Sequence, residues 1–391
     1  MTVGVDMALA KIVEKRRHGS GSRLSRSHAT RRLLVGMAGL ALLTTGPDQA
    51  AAFSQNGAAA VTAREVTVAT PDARVRLAGT LSVPRGGGPF PALVLIQGQG
   101  PHTRDQMISG SPMFRMIADE LTKAGFAVLR LDKRGVGKST GPSADDSTFA
   151  DLAGDISAAV GFLQHQPEID RNRIGLLGHS EGAIVAPLVA TENKAVKFVL
   201  LVAPTAVPGG EVWMRQSLFN LKRHGASAAE LAAIETQMRR LVEFVKGGRN
   251  DDATYYKVGH DFIAAHGMAE NKISHKLIDQ FLSDFRSKWQ ADFFRHDPSR
   301  TLQRLTAPTL AVFGAADQQV PADQNLGPLV AALILAGNQD FTVSVQPDCD
   351  HFFLTYEGHR VEKHVFGKME INPALMQSIR CWLSQRVGRR T

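Results

Sequence analysis

Cysteine is nearly absent from this sequence: its 391 residues hold only Cys349 and Cys381. No Cys-x-x-Cys pair or histidine-rich cluster occurs, so the spacings that would suggest a metal site are missing. Whether the two thiols pair cannot be read from their spacing. Apolar runs of membrane-spanning length are missing as well, so no stable span is expected in the mature chain. There is no internal repeat. Two glycine-rich stretches, Gly98-Gln99-Gly100-Pro101 and Gly135-Val136-Gly137-Lys138-Ser139, lack the spacing of a P-loop or dinucleotide fingerprint, which removes a phosphate-cradling reading. What remains is the composition of an ordinary globular protein, 43% hydrophobic and 21% charged.

The net charge of +8 invites a nucleic-acid partner, but its placement argues against one. Most of the excess lies in residues 1–52, where Lys11, Lys15, Arg16, Arg17, Arg23, Arg26, Arg31 and Arg32 face only Asp6, Glu14 and Asp48. The remainder is nearly neutral. Arg31-Arg32 precedes an apolar run over 33–43, and Ala50-Ala51-Ala52 follows, the order of a bacterial export signal. The paired arginines resemble a twin-arginine signal. Residues 1–52 are therefore expected to be a signal peptide, with Met7 as an alternative start, a mature chain from Phe53, and a periplasmic or secreted location. A basic tail on a cytoplasmic protein is the competing reading.

Patterning beyond residue 60 alternates strand and helix. Residues 64–68 and 75–83 read as an opening hairpin. The apolar runs 92–96 and 174–177 read as buried parallel strands, because strands covered on both faces lose polar alternation, and 127–131 and 196–202 read as further strands. Helical patterns at 112–124, 149–164 and 183–190 separate them. From 207 to 304 the pattern is helical throughout (212–224, 228–246, 254–266 and 273–294), broken near Gly247-Gly248. Strands resume at 309–313 and 341–345, and a helix over 373–387 ends the chain. The expected fold class is α/β, a mostly parallel central sheet flanked by helices with an inserted helical cap. The expected parts are a sheet core over 53–206 and 305–391 and a cap over 207–304.

The chemistry concentrates at Gly178-His179-Ser180-Glu181-Gly182. An apolar strand, a Gly-x-Ser-x-Gly turn and a helix in succession form a nucleophile elbow. Ser180 is the expected nucleophile, and Gly178 and Gly182 let neighbouring backbone pass closely. A serine hydroxyl needs a histidine to take its proton and a carboxylate to orient that histidine. Asp317 follows the strand at 309–313, and His351 follows the strand at 341–345. Strand ends are where catalytic loops gather in such sheets. His359 and His364 compete with His351. Asp348 and Asp350 compete with Asp317, although both lie close to His351 in sequence. Cys349 reads as a small buried thiol. The backbone amides of Gln99, flanked by Gly98 and Gly100, and of Glu181 are expected to form an oxyanion hole. The side chains at 179 and 181 are read as variable positions of the motif. Within the cap, Trp213, Met214, Phe219 and Trp289 are candidates for the substrate pocket, with Phe352 beside His351.

From about residue 64 onward the chain resembles the α/β-hydrolase superfamily, and within it bacterial serine carboxylesterases of the dienelactone-hydrolase and prolyl-oligopeptidase branch. The resemblance rests on Gln97-Gly98-Gln99-Gly100-Pro101 with Arg104-Asp105, on residues 131–139, on the elbow, on residues 314–321, and on Asp350-His351-Phe352-Phe353. Relatives often carry His-Gly or Gly-Ser-Gly-Pro where this chain has Gln97 and Gln99. In such proteins Asp132-Lys133-Arg134-Gly135 is a structural turn, and no catalytic role is expected for it. The resemblance implies hydrolysis of a small-molecule ester without metal or cofactor.

Overall fold

The computed structural model describes residues 61–248, 251–356 and 369–387. The leader with Arg31, Arg32 and Phe53, and the competitors His359 and His364, lie outside them. Eight strands form one sheet: β1 (Val61–Ala69), β2 (Arg76–Pro84), β3 (Phe90–Ile96), β4 (Ala127–Leu131), β5 (Ile169–His179), β6 (Val196–Val202), β7 (Thr309–Gly314) and β8 (Phe341–Gln346). Their order is β1-β2-β4-β3-β5-β6-β7-β8. Only β2 runs against its neighbours; every other pairing is parallel. The carboxyl ends of β3, β5, β6, β7 and β8 therefore share one edge.

Successive side chains of a strand point to opposite faces, and each face carries its own core. Ala92, Val94 and Ile96 of β3 pack with Ile174, Leu176, Val199, Leu201, Ala311 and Phe313. They lie under α2 (Phe149–Gln164), α3 (Gly182–Glu192) and α10 (Ala322–Leu335). Leu93, Leu95, Leu177, Leu200, Val202, Leu310 and Val312 face the other way. They are covered by α1 (Met113–Lys123) and α11 (Pro373–Val387). Burial on both faces explains why the runs 92–96, 127–131, 174–177 and 196–202 are largely apolar, with Arg130 and Lys197 the charged exceptions.

Between β6 and β7 lie α4 (Gly209–Arg223), α5 (Ala228–Lys246), α6 (Asp252–Ala265), α7 (His275–Leu282), α8 (Lys288–Arg295) and α9 (Pro298–Leu302). The helix expected over 273–294 is not continuous. A 3₁₀ turn at Ser283–Arg286 interrupts it, and Ser287 restarts the chain as N-cap of α8, its hydroxyl accepting the Gln290 N–H. Serine competes for backbone donors and so favours such a start over a helix interior. A third apolar core, including Ile234, Leu241, Tyr255, Phe262, Ile278 and Phe294, holds the helical insertion together. It is tied to the sheet domain by the Phe149 N–H donating to Asp292 (2.7 Å) and by an Arg215–Asp323 ion pair (2.7 Å).

Among the described residues no helix is long and apolar enough to cross a membrane. Cys349 and Cys381 are both free.

Candidate active site

The turn after β5 holds Ser180 at φ +56°, in the left-handed region that side-chain-bearing residues avoid. Such a conformation costs about 1–3 kcal/mol and persists only where its surroundings enforce it. Here the Ser180 N–H donates to the Val202 carbonyl at 2.9 Å. A Cβ on Gly178 would stand 2.0 Å from the Gly182 oxygen, and one on Gly182 would stand 2.1 Å from the Ile96 oxygen. Both glycines are thus required by backbone crossing backbone, and the expected elbow is present. It carries Ser180 to the shared strand edge, where its side chain remains partly exposed.

Asp317 and His351 meet at that same edge. One carboxylate oxygen of Asp317 accepts the backbone N–H groups of Gln319 (2.7 Å) and Val320 (2.9 Å). Its other oxygen lies 2.8 Å from His351 Nδ1. Both side chains are buried, so the pair is shielded from water. Asp350 serves its own turn, accepting the Phe352 N–H at 2.9 Å. The carboxylate on the imidazole is Asp317. Burial drives the neighbouring Cys349 thiol up to about 11, which keeps it un-ionised at neutral pH. Among the described residues no group of three or more His, Cys, Asp or Glu is arranged to hold a metal ion.

His351 is joined to the elbow by a chain of hydrogen bonds not foreseen from sequence. The Gly98 N–H donates to Gln106 Oε1 at 2.9 Å, which turns the Gln106 amide nitrogen toward His179 Nδ1, also 2.9 Å away. Nδ1 of His179 must then accept, leaving the proton on Nε2, which donates to the His351 carbonyl at 2.9 Å. The His179 and His351 ring centroids are 4.9 Å apart. A Cβ on Gly98 would lie 3.4 Å from the Ser180 Cβ, so the loop after β3 runs directly beside the serine. Gly100 takes φ +107° and completes its turn.

Burial holds His179 neutral, its pKa pushed down to about 3, and holds His266 of the cap down to about 4 against an ordinary 6.5. The unfolded chain takes up these protons near pH 6.5, whereas the folded chain refuses them until far lower. Stability is therefore fully present above pH 6.5 and falls as the pH drops toward 4. The slope approaches about 1.4 kcal/mol per pH unit for each imidazole. Urea unfolding should show a lower midpoint at pH 5 than at pH 7.5. His266→Gln should narrow that gap, and an unchanged gap would contradict the assignment.

The turn after β4 plays two parts. Asp132 accepts from Arg104, and Arg134 pairs with Asp155 at 2.7 Å, as a structural turn should. Lys133 between them is different. Its ammonium donates to the Gly98 carbonyl and to Glu181 Oε1, both at 2.6 Å, and all but a small part of the side chain is buried. Glu181 Oε2 accepts the indole N–H of Trp289 at 2.6 Å. The side chains at 179 and 181 are thus built into the site rather than free to vary. Lys133 follows a fully buried strand at the edge where the reactive groups collect, which was the one signal in sequence that could have singled it out.

The expected pocket residues separate. Phe352 is half-buried with its ring edge-on to His351, centroids 5.2 Å apart. Trp289 reaches the elbow through Glu181. Trp213 and Met214 belong to the cap's own core instead, the Trp213 ring lying 5.2 Å from Phe285 and 5.5 Å from Phe294. Phe219 is half-buried with the Arg223 guanidinium 5.9 Å from its ring. The apolar face of α4, with Trp213, Met214 and Leu221, packs inward on the other cap helices.

Comparison with known proteins agrees with this architecture. The profile of the family described as serine aminopeptidase, S33, matches residues 107–366. The chain belongs to this family of α/β hydrolases. Esterase EstD of Thermotoga maritima is 28% identical over 310 residues, covering 78% of this chain and 65% of that protein's length. Among solved structures, α/β hydrolase GrgF from Penicillium sp. sh18 superposes with a TM-score of 0.52 at 17% identity, over 84% of this chain and all of that one. An esterase of Pyrococcus furiosus gives a TM-score of 0.50 at 17% identity, over 83% and 91% of the two chains. These two likenesses bear on the fold.

Proposed function

We propose that this S33-family α/β hydrolase cleaves carboxylic esters of small molecules through an acyl-enzyme. The observation that carries the reading is the buried Asp317–His351 pair, 2.8 Å apart, at the strand edge that presents the strained Ser180. In this reading Ser180 Oγ attacks the ester carbonyl while His351 Nε2 takes its proton. Asp317 keeps the hydrogen on Nδ1, so that Nε2 is free to act, and it supports the imidazolium that forms. The amides of Gln99 and Glu181 bind the developing oxyanion. Among the described residues neither amide donates to a backbone acceptor, and the Glu181 amide heads α3, where no helical carbonyl precedes it. His351 then protonates the leaving alcohol and activates water for deacylation.

The likeness to a Thermotoga esterase supports esters as substrates, whereas the family description favours amides as the second reading. The same three residues would serve either. Purified protein should be assayed against p-nitrophenyl esters of short and long acyl chains, the matching anilides, and short peptides with a free amino terminus. Turnover of esters with anilides and peptides at background is expected. Preferential release of amino-terminal residues would replace the ester reading with the aminopeptidase one.

A further inference from the structure

Among the described residues the peptide unit between Gly98 and Gln99 is held from one side only. It is trans, as are all the described peptide bonds except Gly88–Pro89, so its carbonyl and its N–H point in opposite directions. The carbonyl accepts from Lys133 Nζ at 2.6 Å. The N–H at the other end is the Gln99 amide, on the loop that passes beside Ser180. The same ammonium is 2.6 Å from Glu181 Oε1, and Glu181 supplies the other amide of the oxyanion pair. A single buried cation therefore grips both residues assigned to the oxyanion hole, from behind. The second carboxylate oxygen of Glu181 takes the Trp289 indole N–H at 2.6 Å, and Trp289 belongs to the cap. Its ring is fixed against Phe293 (4.9 Å, nearly parallel) and Phe149 (6.2 Å, edge-on).

A buried ion pair is a poor source of net stability, because desolvation offsets the attraction. One that uses both carboxylate oxygens and two donors to hold two loops in register has a geometric role instead. We propose that Lys133 is a positioning residue. It orients the Gln99 and Glu181 amides toward the oxyanion, and the Glu181–Trp289 bond makes that orientation depend on how the helical cap is seated. The inference rests on the acyl-enzyme reading and adds to it a device that adjusts transition-state binding.

Three variants test it: Lys133→Met, Glu181→Gln and Trp289→Phe. For each, kcat is expressed per active site titrated with a fluorophosphonate, so that unfolded or inactive material is not counted. Removing an oxyanion donor outright costs about 10²–10³ in kcat, and misaligning two donors should cost about 10–100-fold. Lys133→Met should show that loss with KM little changed. Its affinity for an alkyl trifluoromethyl ketone, which presents an oxyanion, should fall in parallel with kcat. A role confined to stability would lower the melting temperature while leaving kcat per titrated site and ketone affinity alone, and that result overturns the positioning role. If Lys133→Met does not fold, Glu181→Gln carries the same test, keeping shape and removing the charge that anchors the ammonium. Trp289→Phe keeps an aromatic ring in the contact with Phe293 while deleting the five-membered ring that carries the N–H, and a smaller loss in kcat is expected. Unchanged kcat there overturns the coupling to the cap. Wild-type protein that is neither labelled at Ser180 nor active on esters would instead overturn the acyl-enzyme reading.

Discussion

Ser180→Ala should reduce ester turnover to near background, a fall in kcat of about 10⁶-fold, with little effect on folding. The size follows from how the three groups work together. Without the hydroxyl, the His351 imidazole has no proton to take and the Asp317 charge has no imidazolium to support, so all three contributions vanish at once. What survives is the catalysis that binding and the oxyanion amides supply alone. Folding should be spared because alanine bears the same left-handed strain as serine at φ +56° and the elbow is held by backbone groups. Mass spectrometry of protein treated with a fluorophosphonate provides the companion measurement. Wild type should gain one adduct on the peptide containing Ser180, and Ser180→Ala should gain none. Turnover that persists in the variant, or an adduct on a different residue, would remove Ser180 from the mechanism.

The parts of this site legible in sequence are those that local chain chemistry dictates. The elbow needs only neighbours: an apolar strand, two glycines at fixed offsets and a helix. The structure gives each glycine a backbone oxygen 2.0–2.1 Å from where a Cβ would be. The strand at 196–202 and the helices at 149–164 and 228–246 match their patterns because apolar runs and the capping residues Thr148 and Ser227 coincide there. Asp317 and His351 were placed by the rule that reactive groups follow strand ends, and the sheet order brings those ends to one edge. Other features are long-range and leave no trace in spacing. Gln106 reaches His179 across 73 residues, Lys133 reaches Glu181 across 48, and Trp289 reaches Glu181 across 108. Nor does an apolar residue on an amphipathic helix announce which apolar surface it meets. Trp213 satisfies the pattern of a pocket residue and of a cap-core residue equally, and only packing against Phe262, Phe285 and Phe294 decides between them.

Asp317→Asn should also be severe, though less so than loss of the nucleophile, and the reason lies in its hydrogen bonds. In the wild-type protein Oδ1 accepts two backbone N–H groups, from Gln319 and Val320, while Oδ2 faces His351 Nδ1. An asparagine has one oxygen and one NH₂ to distribute over those positions. Placing the NH₂ at the δ1 position would set two of its hydrogens against two buried donors, so the oxygen must stay there. The NH₂ then faces His351 and donates to Nδ1, which forces the ring hydrogen onto Nε2. That nitrogen can no longer take the Ser180 proton. The variant should therefore fold with the same side-chain placement while kcat falls by about 10⁴-fold, the magnitude set by imposing the wrong tautomer on an otherwise intact site. Asp350→Asn is the matched control. Among the described residues its carboxylate accepts a turn N–H from Phe352, a bond an asparagine oxygen makes equally well, so its activity should remain near that of wild type. Measuring kcat for the two variants side by side tests the assignment. Near-normal activity in Asp317→Asn with a large loss in Asp350→Asn would transfer the orienting role to Asp350, against the 2.8 Å contact that assigns it to Asp317.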